Sequence, residues 1–106
     1  MLWPATARAE ASHALALEDS AARARSAAAY EHVAQSWQRV LDIVPSGSGT
    51  ADARDHLAEA RFRAWESAPT AARAQAARAA LDAYLASAPA GARRTLAEQR
   101  RERLPH

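Results

Sequence analysis

The sequence predicts an all-α fold of about five antiparallel helices, a short helical repeat array with a polar C-terminal capping helix. Three observations predict it. Over 30–45, YEHVAQSWQRVLDIVP, the residues Tyr30, Val33, Ala34, Trp37, Val40, Leu41 and Val44 recur at the three-and-four spacing of one helical face, with Glu31, Gln35, Gln38, Arg39 and Asp42 on the other. A related block returns at 77–89, ARAALDAYLASAP, with Leu81, Tyr84 and Leu85 where Trp37, Val40 and Leu41 stood and a constant offset of 44 residues. A helix that repeats and closes on proline both times is the mark of a helical repeat array. Finally, alanine makes up most of the apolar content, β-branched residues are scarce, and no stretch alternates with period two, so helices form readily and no sheet is expected.

The elements follow in order. Residues 5–17 form a first helix, with Pro4 placed where a missing N–H costs nothing; its apolar content is alanine with Leu15 and Leu17, so it must lean on a neighbour. Glu18, Asp19 and Ser20 read as the boundary and cap before a second helix over 20–44. SAARARS at 20–26 has no large apolar residue and reads either as the start of that helix or as a separate turn. Pro45 and the glycines at 47 and 49 make a turn. Thr50 then serves as N-cap, and Asp52 and Asp55 place negative charge at the positive end of a third helix over 51–67. Its stripe is Ala53, Leu57, Ala60, Ala64 and Ala68, widened by Phe62 and Trp65. A fourth helix over 71–87 turns Ala74, Ala77, Leu81, Tyr84 and Leu85 inward, and a fifth over 92–104 has only Leu96, Ala97 and Leu104. Trp37 is expected at the centre of the core, flanked by Leu41, Leu57 and residues of the fourth helix.

The 106 residues suit one domain, and the absence of cysteine excludes a disulfide framework and a thiolate zinc site. No apolar run is long enough to cross a membrane and the N-terminal residues lack the apolar block of a secretory signal, so the chain reads as cytoplasmic; as a piece of a longer exported chain it would be periplasmic or envelope-associated. Every basic residue is arginine, the pattern of GC-rich coding. The net charge of +2 is unevenly spread: residues 90–106 carry five arginines against two glutamates.

Val33, Trp37, Val40, Leu41 and Pro45, and again Ala77, Leu81, Tyr84, Leu85 and Pro89, occupy the slots of the second helix of a tetratricopeptide repeat, and Leu57-Ala58-Glu59-Ala60 with Phe62 resembles its first helix. Over about residues 30–98 the chain therefore resembles the divergent tetratricopeptide-like repeats of bacterial cell-envelope assembly proteins. The resemblance implies a short right-handed solenoid of stacked α-α hairpins whose concave face binds a peptide or helix of a partner protein, with no catalysis and no cofactor.

Two functional readings follow, the first from the resemblance and the second from the charge of the last helix. In the first, a protein partner lies in a groove lined by polar residues of the first helices, Arg54, His56 and Arg61. In the second, the basic helix binds nucleic acid through Arg93, Arg94, Arg100, Arg101 and Arg103, without interleaved aromatics and partly offset by Glu98 and Glu102. Glu10 and His13 have the Glu-x-x-His spacing of di-iron bundles, and Asp52, His56 and Glu59 are similarly spaced, with Glu31 on the second helix. Exposed polar faces account for both sets better, and no metal is expected. No nucleophile-and-base arrangement occurs, and the glycine turn lacks the lysine and preceding strand of a phosphate loop.

Overall fold

A computed structural model describes residues 3–105. It contains five helices, α1 (Ala5–Ala24), α2 (Ala27–Ile43), α3 (Thr50–Ser67), α4 (Ala71–Leu85) and α5 (Ala92–Arg103), and no strand among the described residues. Each of the first four packs on its chain neighbours, while α5 lies against both α4 and α3. The starts of α2 and α4 are 44 residues apart, the offset of the sequence repeat, and each is the second helix of its hairpin. Their caps repeat as well: Ser26 Oγ accepts from the Ala29 N–H and Thr70 Oγ1 from the Arg73 N–H, both at 3.1 Å. Each satisfies one of the donors a helix start leaves unpaired.

Helix α1 departs from expectation. It does not end at Leu17, and Glu18, Asp19 and Ser20 are not a boundary but lie inside it. Polar residues of this kind are only mildly unfavourable in a helix, and here Asp19 and Ser20 face solvent while Glu18 has partners on two other helices. What stops α1 is Arg25, in the left-handed region at φ 50°, its N–H bonded to the Ala21 carbonyl. Residues 20–26 thus close α1 and turn the chain, and α2 begins at Ala27. Along α1, Ala7, Ala14 and Ala21 are fully buried at a spacing of seven residues. This seam of methyl groups lets α1 approach α2 closely, whereas Leu15 faces solvent.

The core runs through Val33, Ala34, Trp37 and Val40 of α2, Leu57, Ala60 and Phe62 of α3, Ala77, Leu81 and Tyr84 of α4, and Leu104 after α5. Trp37 is buried as expected and belongs to one core cluster with Leu57, Leu81 and Tyr84, against which Leu41 packs; its polar and stacking partners are Glu18 of α1 and His56 of α3. Gly49, not Thr50, caps α3; Thr50 is its first residue and donates its hydroxyl to the Gly47 carbonyl at 2.7 Å. Gly49 has φ 84°, and a Cβ there would sit 2.9 Å from the Trp3 indole, which covers the turn and donates Nε1–H to the Ser48 carbonyl at 2.8 Å. Glycine is therefore required at 49 on two counts.

Candidate partner-binding groove

The first helices of the two hairpins, α1 and α3, stand as walls on either side of α2. Between them lies an open groove of about 600 Å³. Glu18, Asp19, Ala22 and Arg25 form one wall; His56, Glu59, Ala60, Arg63, Glu66 and Ser67 form the other; Tyr30 and Val33 form the floor. The α3 set falls at helical spacings of three and four, so it is one face of that helix. The lining is mostly polar, with charges of both signs; Val33 and Ala60 are themselves buried, so Tyr30 and Ala22 supply its apolar surface.

One constellation ties the three helices together. Glu18 Oε1 accepts the Trp37 indole N–H at 2.9 Å and lies 2.7 Å from His56 Nδ1. The His56 ring stacks on Trp37 with centroids 4.5 Å apart and planes 19° from parallel. The hydrogen bond to Glu18 raises the His56 pKa above its ordinary value; burial opposes this, and the charges of Glu18, Asp55 and Glu59 reinforce it. A protonated imidazole in this position is both an ion-pair partner and a cation stacked on an indole.

The other two residues expected in the groove are elsewhere. Arg54 closes the α2–α3 turn, donating to the Pro45 carbonyl at 2.6 Å and reaching the Thr50 hydroxyl. Arg61 is half-buried and is not part of the lining. Of the three, only His56 lines it. Sequence reasoning missed Glu18, Tyr30, Arg63 and Glu66, because the end assigned to the first helix took Glu18 off α1 and no local spacing shows which residues of separate helices converge.

The arginines of the basic helix are paired with groups of the chain itself, Arg93 and Arg103 at the surface and Arg100 more sheltered. Arg93 pairs with Asp52 at 2.8 Å and approaches Asp55. Arg94 donates to the Leu85 and Ala88 carbonyls and approaches Glu98. Arg100 reaches Glu59 at 3.4 Å, Arg101 pairs with Asp82 at 2.8 Å, and Arg103 reaches Glu66 at 3.3 Å. The Arg100 and Arg103 guanidinium groups also lie 5.2 and 5.1 Å from the Phe62 ring centroid. Five arginines thus meet acidic residues or carbonyls of α3, α4, α5 and the turn after α4.

The carboxylates considered as metal ligands are likewise engaged with arginine: Glu10 with Arg39 at 3.0 Å, Glu31 with Arg73 at 3.1 Å, and Asp52 and Glu59 as above. His13 is exposed. Among the described residues no three of these side chains converge on a common point. A second, smaller recess where α3 gives way to α4 is lined by Trp65, Pro69, Ala74 and Arg78, with Arg78 bonded to the Pro105 carbonyl. No helix among the described residues is long and apolar enough to cross a membrane. Compared with known proteins, the chain matches no family model, no curated protein and no solved structure.

Proposed function

We propose that the chain is a non-catalytic protein-interaction module of tetratricopeptide-like build, which holds a helix or extended peptide of a partner protein in the groove between α1 and α3. The observation that carries this reading is the composition of the groove. It is walled by the first helices of both hairpins, floored by Tyr30 and Val33, and rimmed by Asp19, Arg25, Glu59 and Arg63. A half-buried aromatic ringed by charges of both signs suits a bound helix or peptide: Tyr30 offers an apolar contact and the charges set register. The 44-residue recurrence of the second helices and their caps supports the repeat reading. The intramolecular pairing of Arg93, Arg94, Arg100, Arg101 and Arg103 weighs against nucleic acid, since phosphates would have to displace carboxylates and carbonyls already in place.

The test is site-specific photo-cross-linking in the cell. A photo-reactive residue in place of Ala22 or Ser67, on the two walls, is expected to trap a polypeptide; one in place of Gln99, exposed on α5, is not. Adducts confined to position 99, or adducts removed by nuclease, overturn the reading in favour of nucleic-acid binding through α5.

A further inference from the structure

The two walls of the groove are not packed on each other. Helices α1 and α3 each lie against α2, with no close backbone approach between them. Among the described residues, the single hydrogen bond or ion pair from α1 to α3 is Glu18 to His56. Helix α1 is also the wall with the lighter anchorage, because its fully buried side chains are Ala7, Ala14 and Ala21, while α3 buries Leu57 and Phe62 and has neighbours on both flanks. Alanine brings helices close but removes little apolar surface from water, so α1 is the element a change of charge can move.

We propose that Glu18 and His56 form a proton-operated tie across the groove: with His56 protonated the tie holds α1 to α3 and fixes the width of the groove, and with His56 neutral the tie is weakened and α1 gains freedom to swing on its alanine seam. This rests on the groove being the partner site, and it makes partner binding dependent on pH. The neutral ring can still donate Nδ1–H to Glu18, so deprotonation removes the ion pair and the stacked cation without removing every contact. The charged and titratable groups around His56 are Glu18 and Asp19 from α1, Tyr30 from α2 beside the uncharged Trp37, and Asp55, Glu59 and Arg63 on α3 itself. From α5, Arg93 approaches Asp55 and Arg100 reaches Glu59, which tempers those two carboxylates and leaves Glu18 as the nearest counter-charge. Both His56 and Glu18 keep between a quarter and a third of their side-chain surface exposed, so protons reach the tie without unfolding. The raised pKa of His56 puts the change above 6.5, with the tie strongest on the acidic side and weakened to a hydrogen bond on the basic side.

The chain has no cysteine, so Ala22→Cys with Ser67→Cys accepts one spin label on each wall. Distances are measured in the free chain from about pH 5 to about pH 9, across the range in which histidine titrates. A narrow distribution is expected at the acidic end. It should shift or broaden as pH rises, with the midpoint of the His56 imidazole signal followed by nuclear magnetic resonance. Glu18→Gln keeps an acceptor for Trp37 and is expected to lower that midpoint and abolish the pH dependence of the distance; His56→Phe keeps the stacking and is expected to abolish it too. Distances that stay constant while His56 titrates, or a shift that survives in either variant, overturn the proposal. No partner is present in this measurement, so its failure is distinct from failure of the groove to bind one.

Discussion

Helix α1 rests on α2 through Ala7, Ala14 and Ala21, whereas α5 rests on α3 and α4 through Ala97, the following Leu104 and five paired arginines. Both are outer helices of the same bundle, and both have little apolar surface of their own. They solve that problem with different physics. The α1 seam works by close approach of backbones, which salt does not screen. The α5 contacts are ion pairs at the surface, and exposed pairs of this kind contribute about 0–1 kcal/mol each and weaken with ionic strength. Arg93 and Asp52 are 63% and 71% exposed, so their pair belongs at the low end; Arg100, at 13%, is better sheltered. The comparison teaches that a basic terminal helix can be basic for internal reasons: its charge is matched by Asp52, Glu59, Glu66 and Asp82 on the helices it covers.

Four outcomes break or sharpen this contrast. The largest concerns Trp37, which joins α2 to both Glu18 and His56. Trp37→Ala should cost about 3–5 kcal/mol, the range for truncating a large buried aromatic, against a total stability of about 5–15 kcal/mol for such a domain. Chemical denaturation measures it, and a midpoint that barely moves would mean that α1 is not held through this residue. Next, Leu104→Ala should cost about 2–5 kcal/mol by opening a cavity where α5 ends. If circular dichroism shows α5 intact and stability unchanged, the arginines alone hold it.

Third, Ala14→Leu should cost about 1–3 kcal/mol, because a larger side chain forces the seam apart; a gain in stability would mean the helices are looser than the buried alanines indicate. The smallest effect is on pH dependence. The folded pKa of His56 is raised above its unfolded value, so its contribution is complete below the unfolded pKa and disappears as pH rises through the folded one. His56→Phe should therefore flatten the stability profile on the basic side of 6.5, measured as melting temperature against pH; an unchanged slope would place the dependence on another group.

Much of this architecture was legible in the residues. The stripe over 30–44 and its return 44 residues later located α2 and α4, since large apolar residues at helical spacing carry a strong periodic signal. Alanine carries a weak one, which is why α1 was cut short at Glu18: its buried face of Ala7, Ala14 and Ala21 looks like its exposed face of Ala9 and Ala16. Of the groove, His56 was legible and its partners were not. Glu18 lies 38 positions away, and Arg93, Arg100 and Arg103 meet partners 37 to 41 positions away, distances over which no local pattern records pairing.

The contrast between the two outer helices is tested most directly by amide hydrogen exchange of the isolated chain, read helix by helix at low and at about 1 M salt, where screening reaches only about 3 Å. The amides of α5 should lose more protection at high salt than those of α1, because four arginines of α5 pair with carboxylates of α3 and α4 whereas α1 has two ion pairs, Glu10 with Arg39 and Glu18 with His56, beside its alanine seam. If α5 exchange is independent of salt, or α1 loses protection to the same degree, the arginines do not hold the helix in place and the account of α5 as held by its own ion pairs fails.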